Sequence, residues 1–182
     1  MSARDRVLDA FEELLITEGE RAATLDAVAA RAGVSKGGLL YHFGSKEALV
    51  EGLLDRLADL AEADAQVMAS DPRGPAAHYV DTSVYGESPL DRVLVAAARL
   101  ALDAYPQARE AMQAIHRRWY TMILEEVGDR AVARAIVLLG DGLYYNAVLA
   151  GAIAADDVAG TGPEDRLELL DVVARLKTAP RT

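Results

Sequence analysis

Between Thr24 and Phe43 the chain carries two helix-start signals around one helix-stop signal, and that spacing constrains the fold more than any other stretch. Thr24 and Ser35 have side chains that accept from an orphan backbone N–H in a first turn, and Gly33 suits the left-handed backbone that ends a helix. The spacing predicts a helix opening after Thr24, with Asp26 near its positive end and Leu25, Val28 and Ala29 as its apolar stripe. A tight turn follows, then a second helix of about two turns. Steps of ~100° per residue put Leu39 and Phe43 on one side of it, and Gly37, Gly38, Tyr41 and His42 on the other. Each glycine costs a helix about 1 kcal/mol relative to alanine, which fits a surface that another backbone must approach closely. Ser45 repeats the cap signal for the next helix. Helix, glycine turn and short helix make a helix-turn-helix over about 24–43, an arrangement that lays its second helix in the major groove of DNA.

Charge sharpens this reading. From Ala27 through Lys46 there is no Asp or Glu, while Arg31, Lys36 and Lys46 are present, in a chain of 182 residues with a formal net charge of −10. Bulk acidity argues against coating nucleic acid, so DNA binding must be local and strongly salt-dependent. With no cysteine, disulfides and thiolate metal sites are excluded, and a reducing cytoplasm is the expected compartment. The opening residues lack the basic and apolar run of a signal peptide. A hydrophobic content of 52% is enough for a real core in one or two small domains.

The run Gly33-Val34-Ser35-Lys36-Gly37-Gly38-Leu39-Leu40-Tyr41-His42-Phe43-Gly44-Ser45-Lys46-Glu47-Ala48-Leu49 resembles the signature of the tetracycline-repressor (TetR) family of bacterial transcription regulators. The resemblance covers the first quarter of the chain, extended by the helix in front. It implies an all-α protein with an N-terminal three-helix DNA-binding domain (1–50). A long helix joins this to a C-terminal helical effector-binding and dimerisation bundle (51–182). It further implies a homodimer on a pseudo-palindromic double-stranded operator, a small-molecule effector and, as the commonest outcome, repression. The expected DNA contacts are Ser35, Lys36, Gly37, Gly38, Leu40, Tyr41 and His42, with Thr24 and Lys46 on the phosphate backbone. Leu40 departs from the pattern by replacing a common tyrosine, which points to an apolar contact such as a thymine methyl. A helical interaction or carrier module without DNA binding is the rival reading, favoured by the acidic total.

Elsewhere the periodicity is helical throughout. Arg4 to Glu18 carries Val7, Leu8, Phe11, Leu14 and Leu15 on one face, and a fourth helix runs from Ser45 to about Ala69. Ser70 to Pro75 is the clearest break, 76–85 is poorly defined, and Ser88-Pro89-Leu90-Asp91 opens a helix to about Ala104. Gln107 to Val127 follows. Ala135 to Ala155 is apolar almost all round, as a helix covered on every side would be, and Asp141 near its middle argues against a membrane span. Ile136, Gly140, Leu143, Ala147 and Gly151 form a stripe that a second helix could approach closely. With Leu170 and Val173 of the last helix, they are the expected dimer interface, since TetR-like regulators dimerise through their last two long helices.

TetR-like regulators bind effectors in the C-terminal bundle, and the expected lining is Met112, His116, Trp119, Met122, Asp141 and Tyr145. Asp141 demands a partner, for which Arg99, Arg117 or Arg118 is the ordinary candidate. No cofactor or metal is expected, because His42, His78 and His116 are scattered and no two-histidine helical motif is present. Without a nucleophile elbow, a phosphate-cradling loop or a carboxylate pair able to flank one bond, catalysis is not expected.

Overall fold

The structure, a computed structural model, describes residues 2–102, 105–152 and 163–178. Those residues form nine helices and no strand. They are α1 (Ala3–Thr17), α2 (Leu25–Ala32), α3 (Lys36–His42), α4 (Lys46–Ser70), α5 (Pro75–Thr82), α6 (Pro89–Leu102), α7 (Pro106–Val127), α8 (Arg130–Ala152) and α9 (Pro163–Thr178). The expected ends of α6 at Ala104 and of α8 at Ala155 lie outside the described residues. None of the described helices is long and apolar enough to cross a membrane.

The chain groups into two compact units, one of 1–62 with 87–115 and one of 63–86 with 116–182. In the first, α1 packs on α2, α3 and α6. Its core is the apolar stripe of α1, with Val7, Phe11 and Leu15 fully buried, closed by Val28, Leu39, Leu49, Leu53 and Leu100. Charged side chains lace the rim. Glu12, 5% exposed, accepts from Arg92 of α6 at 2.8 Å and lies 3.5 Å from Arg56 of α4, which also reaches Asp9 at 2.7 Å. The start of α6 is a reciprocal capping box: Asp91 N–H donates to Ser88 Oγ, and Ser88 N–H to the Asp91 carboxylate.

In the second unit α5 packs against α8 and α9. Met68, Val80, Ile123, Ala133, Ile136 and Val173 are its buried centre. The segment 76–85, poorly defined by sequence periodicity, buries Ala76, Tyr79 and Val80 in this core, and charged groups tie down its surroundings. Arg73 joins Asp71 to Asp81, Asp81 also meets Arg166 at 3.2 Å, and Lys177 of α9 pairs with Glu126 of α7. No side chain of its own caps α5, and the Glu126 carboxylate accepts from Ala76 N–H at 2.7 Å in that role.

Candidate nucleic-acid interface and effector region

The helix-turn-helix is set by its caps. Thr24 Oγ1 accepts from Ala27 N–H at 3.2 Å, Gly33 ends α2 with φ 64°, and Ser35 Oγ accepts from Gly38 N–H at 3.0 Å. Beneath α3, Leu39 is fully buried and Phe43 is 3% exposed. The Phe43 ring lies against Gly52 of α4, where a Cβ would stand 2.8 Å from ring carbon Cε1. Gly52 is thus the notch that seats the end of α3.

The opposite side of α3 is open. Tyr41 is 86% exposed and stands edge-on to His42, with ring centroids 5.2 Å apart. Leu40 is 39% exposed, and a methyl added at Gly37 would meet nothing within 4 Å. Gly38 is more confined, with Ser35 Oγ 3.2 Å from the corresponding position. Lys36 projects beside this surface and pairs with Asp26 at 2.9 Å, both well exposed. Such a pair in water is worth ~0.2–1 kcal/mol, so the ammonium is readily passed to another anion. Thr24, Ser35 and Lys36 are all exposed at the surface.

Lys46 is placed differently from the rest. Its ammonium donates to the Glu20 carboxylate at 2.7 Å and to the Glu20 carbonyl at 2.8 Å, and only 22% of its side chain is exposed. The motif spacing that marked Lys46 as a backbone contact carried no sign of Glu20, which lies in the turn between α1 and α2.

The expected effector residues divide. Met112 packs against the core of the first unit. His116, Trp119, Met122, Asp141 and Tyr145 belong to the second, where Trp119 and Met122 lean on its core and Tyr145 is 64% exposed. Asp141 finds its partners in two residues that sequence reasoning did not pair with it: Tyr79 O–H donates to it at 2.6 Å, and His116 Nε2 lies 3.0 Å from its other oxygen. The arginine expected at Asp141 is therefore replaced by a phenol and an imidazole. Burial works to raise the Asp141 carboxyl, but the hydrogen bonds from His116 and Tyr79 outweigh it and hold the group below its ordinary value. The same contact raises the His116 imidazole, and burial together with Asp141 raises the Tyr79 phenol. Beside them the Tyr79 and Trp119 rings are 5.7 Å apart, and Trp119 Nε1–H donates to Asp64 at 2.9 Å. The result is an aromatic and carboxylate cluster assembled from α4, α5, α7 and α8.

The same packing shows where the residues of the expected dimer stripe stand within one chain. Ile136, Leu143 and Val173 are buried within one chain, and Leu170 packs against the same core. Gly140 is small because α5 crosses it: a Cβ there would lie 2.5 Å from Tyr79 Cε1 and 2.8 Å from Ser83 Oγ. Ala147 is half-buried, and Gly151 lies outside the residues whose side-chain surroundings are described. Among the described residues, a further apolar side of α8 is exposed, carrying Leu138 (63% exposed), Tyr145 and Gly142, and Leu167 of α9 is also exposed.

A short helix anchored from below and open above, among described residues that form helices and no strand, defines a helix-turn-helix transcription regulator that binds DNA. Comparison with known proteins fixes the family. Residues 7–53 match the family of bacterial regulatory proteins called tetR, and residues 73–161 match the tetracyclin repressor-like C-terminal domain. The chain belongs to the TetR family. The HTH-type transcriptional repressor Rv3405c of Mycobacterium tuberculosis is 29% identical to it, over 93% of this chain and 86% of the relative. Among solved structures, the transcriptional regulator SCO7518 of Streptomyces coelicolor is 27% identical with a TM-score of 0.64, covering 97% of this chain and 99% of the other. The multidrug binding protein EbrR, complexed with malachite green, is 22% identical with a TM-score of 0.66, covering 95% and 96%.

Proposed function

We propose that this regulator is a homodimeric repressor that reads two half-sites of a pseudo-palindrome with α3 and is released by a small molecule held in its second unit. The observation that carries the DNA half is the two-sidedness of α3, with Leu39 and Phe43 buried beneath and Gly37, Leu40, Tyr41 and His42 exposed above. On this reading Lys36, Tyr41 and His42 reach base edges or phosphates, Leu40 meets an apolar base edge, and Gly37 and Gly38 permit close approach. Thr24 and Ser35, at helix starts, orient on the phosphate backbone. A C2 dimer places half-sites about one helical turn, ~34 Å, apart. Residues 1–50 form the reading domain and 51–182 the effector and dimerisation domain.

Dimerisation is assigned to the exposed side of α8 and α9, through Leu138, Gly142, Tyr145 and Leu167. The effector is assigned to the cluster of Trp119, Met122, His116, Asp141 and Tyr79. Similarity to the transcriptional repressor Rv3405c supports repression, and EbrR with its dye supports a ligand in this fold. The protein works where the chromosome is, in the cytoplasm, and carries out no chemistry of its own.

Selection from random duplex DNA, followed by gel shifts at low and moderate salt, tests this. The expected result is a sequence-preferring complex that weakens steeply with salt. A protein that retains no duplex at low salt would exclude the reading.

A further inference from the structure

We propose that Lys46 serves DNA binding as a positioning residue: closed onto Glu20, it pins the turn before α2 to the start of α4, and it does not neutralise a phosphate. This rests on the DNA-binding reading above. Two of the three ammonium donors are occupied, at 2.7 Å by the Glu20 carboxylate and at 2.8 Å by the Glu20 carbonyl. Both side chains are largely withdrawn from water, with 22% of Lys46 and 18% of Glu20 exposed. Lys36 also meets two oxygens, both of the Asp26 carboxylate at 2.9 and 3.1 Å, but it and Asp26 keep 56% and 72% of their side chains in solvent. Moving Lys36 to a phosphate costs little. Moving Lys46 would leave a sheltered carboxylate without its cation, a far greater cost.

The pin has a clear mechanical sense. The Glu20 carbonyl that receives Lys46 also accepts from Ala23 N–H at 3.2 Å, in the turn that ends at the Thr24 cap and so sets where α2 begins. Tyr105 O–H adds a longer contact to the Glu20 carboxylate at 3.4 Å. At the other end of the motif, the Phe43 ring is seated in the Gly52 notch. Helix α4 therefore grips the helix-turn-helix at both ends, by an ion pair before α2 and by an aromatic ring after α3.

The test compares salt slopes on a duplex selected by the unmodified protein, for wild type, Lys36→Ala, Lys46→Met and Glu20→Gln. Lys36→Ala is the control and should flatten the slope of log affinity against log salt by about one unit. Lys46→Met and Glu20→Gln should each weaken binding about tenfold at every salt concentration with the wild-type slope. The double variant should be no worse than the poorer single one. A flattening by about one unit in Lys46→Met, or binding as tight as wild type or tighter in Glu20→Gln, would overturn the proposal. Glu20→Gln keeps the side-chain size and decides the matter even if Lys46→Met fails to fold. Wild-type protein without salt-sensitive binding would instead remove the underlying DNA reading.

Discussion

Gly37 is a residue at which helix stability and the proposed DNA contact pull in opposite directions. In the free protein nothing lies within 4 Å of where its Cβ would be, so Gly37→Ala meets no obstacle and should gain up to about 1 kcal/mol of helix stability. If the exposed side of α3 meets a duplex closely, the same methyl obstructs it. The expected outcome is an equal or higher melting temperature together with weaker operator binding. Equal binding would mean that α3 stands further from the DNA than its glycines imply.

His116 and Asp141 supply a pH signature. The hydrogen bond to Asp141 lifts the imidazole above its ordinary value of 6.5, against an opposing effect of burial. A folded value above the unfolded one means that the stabilisation is complete below about pH 6.5 and fades as pH rises through the folded value. Asp141 behaves oppositely: its share is present above the ordinary 3.8 and is lost as pH falls through its lowered value. About half of the His116 side chain is exposed, so solvent screens the pair and the effect is modest. Thermal melts of wild type and His116→Gln should differ more at about pH 5.5 than at about pH 8.5. A gap that stayed constant with pH would show that the bond is not charge-assisted.

At the scale of elements, Gly52 joins α4 to the end of α3. Gly52→Ala pushes against the buried Phe43 ring and against Leu8, whose Cδ2 would be 3.3 Å away, and should cost about 1–3 kcal/mol in urea unfolding. Pairing it with Phe43→Leu, which vacates the space, should recover part of the loss; a second full loss would place the strain elsewhere. The helices themselves were legible because their signals are local: Thr24, Ser35 and the Ser88–Asp91 box are caps readable at three-residue spacing. The buried side of α3 was equally readable, since Leu39 and Phe43 repeat at helical period. What escaped depends on contacts distant in sequence. Glu126 caps α5 across 50 residues, and Tyr79 reaches Asp141 across 62. A small-residue stripe on α8 states that something approaches closely, but not whether it is a partner or the chain's own α5.

For the whole molecule, that distinction decides how two copies would meet. Leu138 is 63% exposed on α8, so Leu138→Asp should leave the fold and melting temperature of a single chain nearly unchanged. By introducing unpaired charge into the proposed interface, it should shift sedimentation from dimer to monomer and weaken operator binding, because one half-site alone holds poorly. An unaltered dimer would move the interface to another surface. A net charge of −10 against a short basic stretch also means that the duplex is repelled except along that stretch.

The chain contains a single tryptophan, and it is Trp119, with its indole N–H on Asp64 and its ring beside Tyr79. Intrinsic fluorescence is therefore a label already installed at one address. A compound settling near Asp141 would change the polarity around one emitter and shift its spectrum, while a compound bound elsewhere would leave the emission silent, so candidate effectors can be sorted by location in an unmodified sample.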